Sequence, residues 1–148
     1  MKKEELKIII VFLIFGIMFL SGFYIDLNQE KYPYEYGIKI IKGNTMIEGY
    51  KLSNHEVGII IDAPYVVVAD SVITECKKGI LLTENANDVI ITSTLFDNCD
   101  FGIDAGYGNR LRISDNYFRV FNEAIVLGGE NCTIVNNILR LVNDTGQF

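Results

Sequence analysis

Residues 58–82 read GIIIDAPYVVVADSVITECKKGILL, and this stretch decides the fold. It opens on a glycine and an apolar run, passes through a second run at 66–68 and a third around Ile73, and returns to a glycine and an apolar run at 79–82. Short apolar runs separated by turn-forming residues are typical of strands joined by tight turns. The stretch therefore predicts a unit of three strands that begins again after 21 residues.

The same unit recurs along the chain. Each copy begins with a small residue followed by Ile, at intervals of 21, 21, 23 and 22 residues: Gly37, Gly58, Gly79, Gly102 and Ala124. A unit this short cannot bury its apolar face alone, so successive units must stack. We therefore predict an all-β fold over residues 37–148, a short right-handed parallel β-helix of about five coils.

Two further columns follow from this register. The third strand of each unit carries one large apolar residue, predicted to stack in the core: Leu52, Ile73, Phe96, Phe118 and Leu139. A polar residue precedes that strand in four units, as Ser71, Thr94, Asn116 and Asn137. We expect these side chains to satisfy buried turn backbone.

The steps G-I-x-L, V-x-I and N-x-F resemble the repeats of the pectate-lyase-like superfamily, especially the NosD-type and the carbohydrate-binding, sugar-hydrolase-associated β-helices. The resemblance covers residues 37 to about 144. It implies a β-helix, a carbohydrate as the class of ligand, and a ladder in which the side chains of the polar column bond their equivalents one coil away. Because the superfamily contains lyases, hydrolases, epimerases, adhesins and spacers, it implies no single activity.

A lyase of this superfamily would use carboxylates to hold Ca²⁺ and a basic side chain to abstract a proton. The fourth coil offers Asp100, Asp104 and Arg112 for these roles. A solvated acidic rim explains the same residues, because Asp and Asn are ordinary turn residues. The polygalacturonase-like motifs N-T-D, D-D, G-H-G and R-I-K are missing. We therefore expect a protein without catalysis, and we keep a small Ca²⁺-assisted lyase or hydrolase as the alternative.

One further column follows the third strand and contains the histidine and two of the cysteines: His55, Cys76, Cys99, Phe121 and Val142. His55, Cys76 and Cys99 are candidate ligands of a soft metal ion. Residues stacked along one axis at about 4.8 Å do not converge easily on one ion, so we favour a packing stack. A disulfide between Cys76 and Cys99 is the third possibility, since that spacing is within disulfide range.

Two outward columns carry apolar side chains in the second and third coils. Ile60 and Leu81 belong to the first strand, and Val67 and Ile90 belong to the second. A contiguous apolar stripe on an outer surface usually marks a contact. We predict that a second copy, a partner β-helix or the Tyr32–Tyr36 segment covers these four residues.

The amino-terminal segment predicts a membrane anchor. Residues 8–25 are uncharged and apolar, and about 27 Å of helix comes close to the thickness of a bilayer core. Lysines precede this segment, so the positive-inside rule places the amino terminus in the cytoplasm and the β-helix outside. Residues 1–25 are then an uncleaved signal anchor, and residues 26–36 are a tether because Pro33 disfavours helix.

The net charge of −6 argues against a nucleic-acid surface, which must neutralise phosphates. Three cysteines and one histidine are too few for a disulfide scaffold or a zinc module, and we expect no cofactor outside the Ca²⁺ alternative. The sequence thus predicts a single-pass, extracytoplasmic β-helix that acts as a surface binding or structural module, with a glycan, a second copy or a partner β-helix as its partner. An assembly subunit that associates through the apolar outer stripe is a further alternative.

Overall fold

The computed structural model describes residues 32–142, and every regular element in this range is a β-strand. The strands of the first two coils are β1 (Tyr34–Ile40), β2 (Thr45–Glu48), β3 (Lys51–Ser53), β4 (His55–Ile61), β5 (Val66–Ala69) and β6 (Val72–Thr74). The later strands are β7 (Lys78–Leu82), β8 (Ile90–Thr92), β9 (Leu95–Ala105), β10 (Arg112–Ser114), β11 (Tyr117–Leu127), β12 (Thr133–Val135) and β13 (Ile138–Leu141).

All pairing between these strands is parallel, and it joins each coil to the next. One sheet has five strands in the order β12-β10-β8-β5-β2, and the other has eight, with the path β1-β4-β7-β9-β11-β13 and β3 and β6 beside it. The described residues therefore form a parallel β-solenoid of about five turns, as the repeat predicts.

Left-handed backbone turns the chain at fixed points of each coil. The φ angles at these points lie between 48° and 73°. They form three columns, here called the first corners (Asn44, Tyr65, Asp88, Arg110, Asn131), the second corners (Gly49, Asp70, Ser93, Asp115, Asn136) and the third corners (Asn54, Glu75, Asn98). At these corners the backbone N–H donates toward the following coil, as from Tyr65 to the Asn87 carbonyl at 2.9 Å.

The core is a stack of aligned apolar side chains, and its register matches the predicted columns. Leu52 pairs with Ile73, Ile73 with Phe96, Phe96 with Phe118 and Phe118 with Leu139. The rings of Phe96 and Phe118 are parallel, with centroids 4.7 Å apart. Glycine is required beside them, because a Cβ on Gly79 would lie 2.5 Å from Cδ1 of Phe96 and 2.6 Å from the Gly102 carbonyl oxygen.

The polar column before the third strand forms the expected ladder at its Asn end. The Asn116 amide donates to Oδ1 of Asn137 at 3.0 Å and to the Ile91 carbonyl at 3.0 Å. The hydroxyls of Ser71 and Thr94 instead bond carbonyls of their own coil, at Ala69 and Thr92. Their link to a neighbouring coil runs through backbone N–H groups, as from Thr94 to Oδ1 of Asn116.

One predicted column member is wrong. Val120, not Phe121, pairs with Cys99 and is fully buried. Val120 lies two positions after Phe118. The residues two positions after Leu52, Ile73 and Phe96 are the third corners, whose positive φ is a conformation that a β-branched Val disfavours. Val120 therefore stays extended and points into the core one residue early, and β11 absorbs the difference in a register shift before Glu123.

Two expectations concern the amino-terminal side. β1 begins at Tyr34, so residues 34–36 of the expected tether pair with β4. Alternating tyrosines favour a half-exposed strand. Within residues 32–142 no helix is long and apolar enough to cross a membrane, and the predicted anchor at 8–25 lies outside the described residues.

Candidate functional site

The candidate metal residues lie together in the column between the third and first strands. Cys76 and Cys99 are fully buried free thiols, and Sγ of Cys76 donates to the Thr74 carbonyl at 3.3 Å. Interaction with the Cys76 thiol and burial raise the pKa of Cys99 far above its usual value. These thiols thus lie in the core as small apolar side chains.

His55 is the first residue of this column. Its ring packs on Tyr34, with centroids 5.4 Å apart, and its Nδ1 is buried without a hydrogen-bond partner among the described residues. In residues 32–142 no group of three or more His, Cys, Asp or Glu side chains is arranged to hold a metal ion. The soft-metal site stays a prediction.

The candidate lyase residues are spread over two sheets. Asp100 and Asp104 lie on β9, in the eight-stranded sheet, and Arg112 lies exposed on β10, in the five-stranded sheet. Asp104 forms an ion pair with Lys78, in which Nζ lies 2.7 Å from Oδ2. The Tyr32 hydroxyl donates to Oδ2 of Asp100 at 2.7 Å. No bond joins any two of the three candidates within the part of the chain that the structure describes. The Ca²⁺-assisted enzyme also stays a prediction.

The outward apolar residues form two pairs on two sheets. Ile60 and Leu81 are cross-strand partners in the eight-stranded sheet, and Val67 and Ile90 are partners in the five-stranded sheet. Three of the four are half-buried, and Ile90 is 37% exposed. Their role as an interface stays a prediction.

A polar surface with exposed aromatic rings lies along the first corners. We call it the first-corner ridge, and it comprises Asp62, Tyr65, Asn85, Asp88, Tyr107 and Arg110. Tyr65 and Tyr107 are 57% and 69% exposed. Most of these residues were not predicted from the sequence. Each first corner directly precedes the second apolar run of its coil, and this spacing could have located the corner residues of the ridge.

Hydrogen bonds between coils hold the polar groups of the ridge in place. The Arg110 guanidinium donates twice to the Asp88 carboxylate, at 2.8 and 2.7 Å, and this lowers the pKa of Asp88. Oδ1 of Asp62 accepts from the Thr83 hydroxyl at 2.6 Å and from the Asn85 amide at 2.9 Å. These bonds lower the pKa of Asp62, so its carboxyl is ionised at neutral pH.

The ridge can therefore offer a ligand flat apolar rings beside fixed polar groups. Oδ2 of Asp62 has no hydrogen-bond donor among residues 32–142. A ring face beside ionised acceptors and a guanidinium suits a polyhydroxylated ligand, whose C–H face packs on the ring while its hydroxyls bond the polar groups.

Comparison with known proteins agrees with this architecture. A family model described as a right-handed β-helix region matches residues 20–146. The chain belongs to this right-handed β-helix family. No curated protein and no solved structure matches this β-helix.

Proposed function

We propose that this β-helix is a non-catalytic binding module for carbohydrate, held at the outer face of a membrane by residues 8–25. The observation that carries the proposal is the first-corner ridge, where Tyr65 and Tyr107 are exposed and the bidentate Arg110–Asp88 pair occupies the first corners of the two coils that follow Tyr65. Within the family, the repeat steps favour the pectate-lyase-like, NosD-type group over other β-helices.

The ridge fits a neutral or weakly charged oligosaccharide better than a polyanionic one. Asp88 is neutralised by Arg110, while Asp62 is bonded only to neutral donors and keeps its negative charge. A polyanion would meet the Asp62 charge, whereas a neutral sugar can donate hydroxyl protons to it. The two exposed tyrosines belong to different coils of the ridge, which suits a chain of sugar units rather than a monosaccharide.

Binding of neutral oligosaccharides to the full chain in detergent micelles tests the proposal. Tyr65→Ala and Tyr107→Ala should each weaken binding about fivefold, because a stacked ring is worth about 1 kcal/mol. Tyr50→Ala is the matched control, since Tyr50 is 49% exposed but lies away from the first corners. Its affinity should stay within about twofold of wild type. The absence of any binding, or an equal loss in the control, would contradict the proposal.

The membrane anchor has a separate test. The full chain should remain with the membrane pellet after an alkaline carbonate wash, because such a wash strips proteins that are held only at the surface. Arginines at Leu13 and Ile17, near the middle of the span, cost about 3 kcal/mol each and should release the protein. A wild-type chain that the wash releases would refute anchoring by residues 8–25 and leave the sugar-binding proposal intact.

A further inference from the structure

In the last coil that the structure describes, residues 124–142, Ala124 and Val142 are buried but much of the remaining apolar surface is exposed. Four of its apolar side chains occupy registers that are buried one coil earlier: Leu127 pairs with Ala105, Ile134 with Ile113, Leu139 with Phe118 and Leu141 with Val120. Those earlier partners are at most 1% exposed. The four residues themselves are 39%, 46%, 54% and 62% exposed in the same order.

Among residues 32–142, β13 and β12 are the terminal strands of the two sheets, and no described strand pairs with their far sides. Ile138 and Val142 donate their N–H groups to β11 and the residues beside it, at Asn116 and Val120. Successive residues of a strand direct these groups to opposite sides, so the N–H groups of Leu139 and Leu141 face away from β11. An open edge of this kind is a template for another strand.

The two ends of the solenoid differ. In the first coil, Ile40 and Ile47 occupy inward registers and are 5% and 6% exposed, and Ile38 and Leu52 are half-buried, so this coil is less exposed than the last one. An identical chain stacked head to tail would need an open first coil to receive the last one. Contact between two last coils needs only the open end, and it produces a closed, two-fold interface.

Charge favours a second copy as the occupant. Residues 124–142 carry one acidic residue, Glu130, and one basic residue, Arg140, so this coil is neutral within a chain of net charge −6. Two identical acidic chains can therefore meet here without the repulsion that other surfaces would cause.

We propose that two copies of this chain dimerise through their last coils. A two-fold axis perpendicular to the solenoid axis preserves the handedness of both copies but makes their chains run around the solenoid axis in opposite directions. At the interface β13 and β12 therefore meet strands of the partner that run antiparallel to them. Leu127, Ile134, Leu139 and Leu141 then form an apolar core shared by the two copies.

Protein mass in detergent micelles, measured by light scattering across a dilution series of the full chain, tests the dimer. Wild type should pass from dimer to monomer on dilution. Leu139→Glu should weaken dimerisation at least tenfold, because it buries a charge in the interface. Ile41→Glu is the matched control, because Ile41 is 73% exposed in the first coil, and it should leave the dimer unchanged, whereas Ile90→Glu tests the predicted outer-face interface.

Hydrogen exchange of the unmodified chain supplies a measurement that needs no variant. The amides of Leu139 and Leu141 should become protected as the dimer forms. A chain that is monomeric at every concentration overturns the proposal, and so does a dimer that Ile90→Glu dissociates while Leu139→Glu does not. Sugar binding at the first-corner ridge should survive Leu139→Glu, so failure of this proposal is distinguishable from failure of the proposed function.

Discussion

Single residues with left-handed backbone decide where each coil turns. Glycine is rare among them, and Tyr65, Glu75, Ser93 and Arg110 adopt a φ near 55°. Such a conformation is unfavourable for most residues, while Asn and Asp tolerate it better. The hydrogen bonds and packing of the neighbouring coils therefore impose the corner on these four side chains.

Glu75→Asn should stabilise the fold. Glu75 is an exposed third corner with φ of 55°, so Asn removes backbone strain without disturbing the core. The expected gain in the free energy of unfolding is about 1 kcal/mol, measured by urea unfolding. Glu48→Asn is the control, because Glu48 is exposed on β2 without a positive φ and should show no gain. Equal effects in both variants would argue against corner strain.

Gly79→Ala should destabilise the fold by about 1–3 kcal/mol, because the added methyl group overlaps Phe96 and the Gly102 carbonyl oxygen. Gly106→Ala provides the contrast, since its nearest neighbouring atom would be 3.7 Å away. Thermal unfolding followed by far-ultraviolet circular dichroism compares the two. If Gly79→Ala is neutral, the glycine column is not a packing requirement.

At the scale of the strands, side-chain bonds between coils satisfy backbone groups that the turns leave open. Asn116 is the clearest case, because it is 2% exposed and bonds Ile91, Thr94 and Asn137. Asn116→Ala leaves the buried Thr94 N–H without its acceptor and removes the side-chain bond to the Ile91 carbonyl. The expected loss is about 1–3 kcal/mol in urea unfolding. Asn122→Ala, at an exposed position on β11, should change stability by less than about 0.5 kcal/mol.

Ion pairs and hydrogen bonds that carboxylates form between coils make the free energy of unfolding depend on pH. Lys77, Thr83 and Arg110 are the main causes that lower the pKa values of Glu56, Asp62 and Asp88, respectively. The folded state therefore binds fewer protons than the unfolded state near pH 4, and the stability present at neutral pH is lost as the pH falls through these folded pKa values. Asp88→Asn should flatten the acid side of the stability profile. Glu84→Gln, which removes a carboxylate without an ion pair among residues 32–142, should not.

For the molecule as a whole, burial rises from the open last coil to the central coils. Phe118→Ala should cost about 3–5 kcal/mol, because it removes a fully buried ring from the stack with Phe96. Leu139→Ala should cost less than about 1 kcal/mol when the chain is dilute enough to be monomeric, because that side chain is 54% exposed. Equal costs would mean that the last coil is covered in the monomer.

The sequence could predict the register because the core columns repeat at nearly constant spacing. The column of large apolar residues from Leu52 to Leu139, one in each coil, pairs as predicted. The Phe121 position was wrong because spacing alone does not say whether a corner residue adopts positive φ, and Val120 does not. The first-corner ridge escaped prediction for a related reason, since its partners are 20 or more residues apart and meet only through the stacking of coils.

The first corner of the third coil shows how the fold admits changes in length. Val67 lies six positions after Ile61, and Ile90 lies eight positions after Leu82, yet Ile61 pairs with Leu82 and Val67 pairs with Ile90. The two additional residues extend the outer loop and leave the sheets unaltered. Insertions at this edge therefore change the first-corner ridge, the surface proposed to bind sugar, without changing the scaffold.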